Sequence, residues 1–199
     1  MKQELFFIID ESSSMEPRIE QIHNGFKEFI SSQKKINNEG IVSVAYFNNE
    51  TKIIINKKPI SEISELPTGS YHPNGCTALY DAMGQILLNI QKRHEDDVEY
   101  IMIVLTDGEE NFSSHFDKIS LKKIIDDTTN FVKIIYMGSN QDAILNAQVI
   151  GVYTSLSYDD NNLLEAMRST SDAVGRYRSG QDDDILYTQT ERDISLEGC

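Results

Sequence analysis

Basic residues are scarce in this sequence. Eighteen lysines and arginines stand against 32 aspartates and glutamates, a formal net charge of −14. That balance argues against nonspecific binding to nucleic acid or to anionic membranes, both of which need basic patches. It favours cations or basic partner surfaces. Cysteine is nearly missing: Cys76 and Cys199 are the only two. This is no disulfide framework, and a reducing compartment is the simplest reading. His23, His72, His94 and His115 show no zinc-type spacing, and His72 with Cys76 four residues on does not make a site. No stretch approaches the ~20 apolar residues of a membrane span, so no membrane insertion is expected. The start, Met1-Lys2-Gln3-Glu4, has neither a basic n-region nor a small-residue cleavage site, and a cytoplasmic location is the expectation.

What is present suits one globular domain. The chain has 199 residues, 39% of them hydrophobic, enough for one substantial core and hardly enough for two. The apolar run Leu5-Phe6-Phe7-Ile8-Ile9 reads as a strand buried on both faces. Directly after it comes Asp10-Glu11-Ser12-Ser13-Ser14-Met15. Pro17 and Arg18 then open a segment with Ile19, Ile22, Phe26, Phe29 and Ile30 at helical spacing. One carboxylate and three hydroxyls therefore sit in a turn between a buried strand and a helix, where open α/β sheets bind ligands. The pattern D-x-S-x-S suits a small hard cation that takes oxygen ligands. The same residues also suit a Ser-rich helix entry that satisfies free backbone N–H groups.

Further along, Ile41 to Phe47 and Thr51 to Asn56 read as an antiparallel hairpin around Asn48-Asn49-Glu50. Lys57 to Asn74 is a long irregular connection with one helical turn near Ile63. Gly75-Cys76-Thr77-Ala78-Leu79-Tyr80-Asp81-Ala82 begins a helix with an apolar face at Leu79, Met83, Ile86, Leu87 and Ile90. Tyr100 to Leu105 is a second fully apolar strand, ending in the acidic turn Thr106-Asp107-Gly108-Glu109-Glu110-Asn111. A short helix around Leu121 and Ile125 and a strand from Phe131 to Met137 follow. Ser139-Asn140-Gln141-Asp142 reads as a capping box for a helix through Val149. Val152 to Tyr158 is a weaker strand, and Leu163 to Tyr177 the last helix. Alternating helices and buried strands imply a doubly wound α/β fold: a mostly parallel sheet with one antiparallel strand and helices on both faces. The domain is expected over residues 1–178. The acidic tail, 179–199, has few anchors and is expected to be mobile or partner-dependent, with Ile185 to Thr188 as a candidate short strand.

If the hairpin flanks the first strand on one side and the Asp107 strand flanks it on the other, the two acidic turns meet where the winding reverses. At this point the residues resemble a family. Asp10-x-Ser12-x-Ser14, then Gly-x-Thr ending at Thr77, then Thr-Asp-Gly around Asp107 resemble, in order and spacing, the metal-ion-dependent adhesion site of the von Willebrand factor type A domain. The likeness spans roughly residues 3 to 178 and extends to stand-alone bacterial and phage members. It implies a Rossmann-like fold. It also implies that Asp10, Ser12, Ser14, Thr77 and Asp107 hold one divalent cation, magnesium by default or manganese, with calcium the poorer fit. One coordination position would accept an Asp or Glu carboxylate from a protein partner. Ser13 stands where many members have Gly, and Cys76 replaces a frequent second Gly before Thr77; neither removes a ligand.

The implied function is a metal-dependent protein-binding module with no enzymatic activity, and an ATPase or a multi-protein assembly is a candidate partner. Two alternatives stand beside it. One is a metal-dependent phosphohydrolase-type enzyme, which shares acidic turns at strand ends but finds no nucleophile elbow and no histidine or lysine within a motif here. The other is a metal-free scaffold within a larger assembly. Asp10 and Asp107 would together neutralise a divalent cation; without it they would repel, and one would tend to take up a proton. Glu11, Glu109 and Glu110 either ring the site or are solvated residues favoured at helix starts.

Overall fold

A computed structural model describes residues 2–139, 142–159 and 161–196. Six strands form one sheet: β1 (Lys2–Asp10), β2 (Ile41–Phe47), β3 (Thr51–Pro59), β4 (Val98–Thr106), β5 (Val132–Ser139) and β6 (Thr154–Tyr158). Their order is β3-β2-β1-β4-β5-β6. Only the β2–β3 pair is antiparallel. The central strand β1 shows why an unbroken apolar run was needed. Leu5, Phe7 and Ile9 point into one core, while Phe6 and Ile8 point into the other. Period-two geometry sends neighbours to opposite faces, so a strand covered twice has no polar side.

The helices are α1 (Ile19–Ile36), α2 (Leu79–Lys92), α3 (Lys118–Thr128), α4 (Asp142–Val149), α5 (Leu163–Arg178) and α6 (Gln189–Ile194). The first core packs α1 and α5 against the sheet; the Phe7 ring meets Phe26 and Phe29 edge-on, each with centroids 5.0 Å apart. The second takes Leu79, Met83, Ile86, Leu87 and Ile90 of α2 with Leu121 and Ile125 of α3. Among the described residues no helix is long and apolar enough to cross a membrane.

The sheet order puts the site where the alternation of strands placed it. From β1 the chain winds to β2 on one side and later returns to β4 on the other. Ile9 of β1 lies beside Leu105 of β4. The two acidic turns therefore leave neighbouring strand ends at the point where the winding reverses.

Three expectations are corrected. Helix α2 starts at Leu79 and not at Gly75. Residues 75–78 are held as a non-helical strap because their carbonyls are engaged elsewhere: Gly75 O accepts from Ser13 N–H at 3.2 Å and Thr77 O from Asn111 N–H at 3.1 Å, while Cys76 N–H donates to Asn49 Oδ1 at 2.7 Å and Ala78 N–H to Asn48 O at 2.8 Å. Gly75 has φ +77°, and a Cβ there would sit 2.2 Å from Asn49 Oδ1, so the strap needs glycine twice over. Second, the described part of the tail, residues 179–196, is anchored. Ile185 and Tyr187 are buried, and the Tyr187 hydroxyl lies 2.8 Å from Thr170 Oγ1. Arg176 pairs with Glu191, and Ser195 Oγ donates to Ser157 O at 2.9 Å. Two of the three aspartates at 182–184 add to this anchoring, Asp182 by pairing with Arg176 and Asp184 with Lys133. Third, 185–188 forms no strand; Thr188 instead caps α6 in a reciprocal box with Glu191. The capping box expected at 139–142 includes Asn140 and Gln141, which lie outside the described residues.

Candidate metal centre

Asp10 closes β1 and is fully buried. Its Oδ1 accepts from the N–H of Ser12 at 2.7 Å, and its Oδ2 accepts from Thr106 Oγ1 at 2.6 Å. Burial pushes its carboxyl up to about 6, against the pull of the Thr106 and Ser12 hydrogen bonds, and the nearby Asp107 charge adds a smaller push. The Tyr71 hydroxyl donates to the Asp10 carbonyl, and the Tyr158 hydroxyl donates to the Thr106 carbonyl at 2.9 Å. Burial raises both phenols, so they stay protonated donors that fix the strand ends.

After Asp10 a 3-10 segment, Ser13–Arg18, turns the chain into α1. This tight turn brings Ser12 Oγ within 3.1 Å of Ser14 Oγ, and Ser14 Oγ donates to Asp107 Oδ1 at 2.7 Å. Ser12 is buried while Ser14 is exposed, so the group opens to solvent on the Ser14 side. Thr77 is also buried. Its hydroxyl faces the Asp107 turn: a Cβ on Gly108 would lie 3.4 Å from Thr77 Oγ1. The Thr77 N–H donates to Asn111 Oδ1 at 3.0 Å, and the Asn111 N–H returns to the Thr77 carbonyl at 3.1 Å. The strap is tied on its other side as well, where Ser13 Oγ donates to Gly75 O at 3.1 Å. Serine at position 13 thus adds a side-chain bond to the backbone bond from its N–H to Gly75 O at 3.2 Å, the one link a glycine would keep.

Hydrogen bonds therefore link Asp10, Ser12, Ser14 and Asp107, and Thr77 faces the turn that carries Asp107. A magnesium-sized octahedron, with ligands at about 2.1 Å, places neighbouring ligand oxygens about 3 Å apart. The Ser12–Ser14 and Ser14–Asp107 separations of 3.1 and 2.7 Å match that edge. The donor set of two carboxylates and three hydroxyls is all oxygen, which suits magnesium or manganese and not a soft metal. Among the described residues no group of three or more His, Cys, Asp or Glu is arranged for a metal. A site here depends on hydroxyls.

One residue escaped the sequence reading. Arg18 Nη1 donates to Asp107 Oδ2 at 2.5 Å and to the Ser14 carbonyl at 2.9 Å. The Arg18 and Asp107 side chains are only 9% and 3% exposed. The expected balance of two carboxylates against one divalent cation is therefore incomplete, because a guanidinium already sits on Asp107. Its signal was positional: the 3-10 segment returns position 18 to the carbonyl of position 14. Glu110 was also read too simply. Its carboxylate accepts from the N–H groups of Tyr80, Phe112 and Ser113 at 2.6–2.8 Å, so it braces the loop that carries Asn111. Glu11 accepts from His72 N–H at 2.7 Å, and Glu109 is exposed.

The profile of the von Willebrand factor type A domain matches residues 4–182. Similar solved structures include a von Willebrand factor type A protein from Catenulispora acidiphila, at 14% identity and TM-score 0.64, covering 90% of this chain and 43% of that one. A D319A mutant of the PilB minor pilin from Streptococcus sanguinis aligns at 13% identity and TM-score 0.69, over 92% of this chain and 63% of that one. The pilus adhesin SpaC from Lactobacillus rhamnosus GG aligns at 14% identity and TM-score 0.70, over 87% of this chain and 30% of that one. At these identities the likeness is one of fold. The chain spans less than two thirds of the length of each of these three proteins. No curated protein matches the sequence.

Proposed function

Because this chain belongs to the von Willebrand factor type A domain family, whose domains typically serve as protein-interaction modules, we propose that it is a divalent-metal-dependent binding module. Asp10, Ser12, Ser14, Thr77 and Asp107 would hold magnesium or manganese. When bound, the cation supplies a Lewis-acidic centre with a position open to an Asp or Glu carboxylate of a protein partner. The observation that carries this reading is the contiguous oxygen set running from Ser12 Oγ through Ser14 Oγ to Asp107 Oδ1, at octahedral-edge spacing and open to solvent at Ser14.

The chain's own residues prepare the site. Thr106 and the Ser12 N–H hold Asp10 in place. The Asn111 clamp fixes Thr77, and the Ser13–Gly75 bond keeps the two loops in register. Such second-layer bonds hold a ligand set ready and reduce the ordering cost on binding. We read the module as non-catalytic. Tyr71 and Tyr158, the phenols beside the strand ends, are held protonated by burial and serve as fixed donors rather than as bases. The exposed, unpaired Cys76 fits a reducing, cytoplasmic setting.

The test is thermal unfolding in chelator, followed by adding back magnesium, manganese or calcium, on wild type and Ser14→Ala. This substitution leaves every charge in place. Magnesium or manganese should raise the melting temperature of the wild type and do so much less for Ser14→Ala, because a ligand that binds only the folded state stabilises it by mass action. An unchanged melting temperature for the wild type at millimolar metal would remove the reading.

A further inference from the structure

Arg18 has no role in the ligand set just described, yet it is nearly buried and bound to one of the ligands. Its Nη1 donates to Asp107 Oδ2, while Asp107 Oδ1 faces Ser14. The guanidinium and the proposed cation thus address opposite oxygens of one carboxylate, and both can be present together. The bond from Nη1 to the Ser14 carbonyl, across the 3-10 turn that contains Pro17, holds the charge at that position.

Resting on the metal-binding reading above, we propose that Arg18 is the specificity-determining residue of the site: a built-in cation that weakens metal binding and strengthens the hold on a carboxylate delivered to the metal. The argument is one of charge. Asp10 and Asp107 bring two negative charges, and a divalent cation alone would bring the trio to neutrality. Arg18 adds one positive charge beside Asp107. With it, the metal-loaded group is one unit more positive than the two carboxylates alone would leave it. An arriving carboxylate then meets a more positive centre and is held more tightly. Replacing Arg18 by a neutral side chain removes one unit whatever else the guanidinium touches. The Arg18–Asp107 pair is nearly buried, so such a unit acts at close range and is weakly screened by salt. By linkage, a carboxylate that tightens metal binding is itself bound more tightly when metal is present, by the same factor.

Two consequences are opposite in sign and separate this role from a structural one. Neutralising Arg18 should tighten metal binding in the absence of any carboxylate. It should also weaken carboxylate binding to the metal-loaded protein. A residue that merely held the loop would, when lost, weaken both.

The experiment is calorimetric titration of manganese into the metal-free full chain, with and without saturating acetate. The proteins are wild type, Arg18→Gln and Arg18→Lys. For the wild type, acetate should tighten manganese binding. In acetate-free buffer Arg18→Gln should bind manganese about tenfold more tightly than wild type, as loss of one close like charge predicts, and acetate titrated into the manganese-loaded proteins should bind Arg18→Gln several-fold more weakly than wild type. Arg18→Lys keeps the charge and should behave like wild type. Manganese binding to Arg18→Gln that equals or falls below wild type would overturn the proposal and leave the metal site standing. The same holds for wild-type binding that is indifferent to acetate, a result that needs no variant to fold. Absence of manganese binding to the wild type would overturn the metal site and this proposal together.

Discussion

Replacing Asp10 by asparagine should stabilise the metal-free protein, although it removes a proposed ligand. Asp10 is fully buried, and burial raises its carboxyl from the ordinary 3.8 to about 6. A carboxyl whose value is higher folded than unfolded binds its proton more tightly in the native state. The stability it contributes is fully present below about pH 4, falls as pH rises through about 6, and is gone above that. A shift of about two units corresponds to roughly 3 kcal/mol lost between the two ends of that window. Asparagine mimics the protonated form. Its Oδ1 can keep the bond from Ser12 N–H, and its amide can donate to Thr106 Oγ1. The Thr106 hydroxyl then turns to the Gly108 carbonyl, already 3.2 Å away. In chelator at pH 7.5, Asp10→Asn should therefore exceed wild type by about 2–3 kcal/mol in urea unfolding, or roughly 5–10 °C in melting temperature for a domain of this size. At pH 4 the difference should nearly vanish. With magnesium the order should narrow or reverse, since only the wild type gains. Equal or lower stability of Asp10→Asn at pH 7.5 in chelator, with no dependence on pH, would refute the reasoning.

Three further outcomes are expected. Gly84→Ala should cost roughly 1–2 kcal/mol by thermal unfolding, because overpacking outweighs the gain in helix propensity; the new Cβ would lie 2.7–2.9 Å from the Phe116 ring. Ending the chain after Gly180 should cost about 3–5 kcal/mol in urea unfolding, since it strips the buried Ile185 and Tyr187 from the first core. Glu110→Ala should lower stability by about 2–3 kcal/mol, as three backbone N–H groups lose a charged acceptor. It should also blunt the melting response to magnesium, because the loop that Glu110 braces carries the Asn111 clamp on Thr77.

Much of this was legible in the chain because burial writes itself into composition. Leu5 to Ile9 and Tyr100 to Leu105 could only be strands covered on both faces, and an acidic turn after each had to emerge at the sheet's carboxyl edge. Once the hairpin and β4 lay on opposite sides of β1, Asp10 and Asp107 became neighbours. Interactions between residues far apart in sequence were not legible. The Arg18 guanidinium reaches Asp107 only because a 3-10 turn replaces the first turn of α1. Likewise, the strap at 75–78 stays out of helix because Ser13 and Asn111 take its carbonyls. Tail anchoring was hidden for a related reason: Asp182-Asp183-Asp184 dominates the local composition, whereas two apolar residues, Ile185 and Tyr187, decide the packing.

The central claim, that five oxygens of this chain hold one divalent cation, is tested most directly by diffraction. Crystals soaked in manganese and measured at its absorption edge would give an anomalous difference map. The account predicts a single strong peak within about 2.5 Å of Ser12 Oγ and Ser14 Oγ, with Asp10, Thr77 and Asp107 around it directly or through water. A map without a peak there, or with manganese bound only elsewhere on the acidic surface, would contradict it.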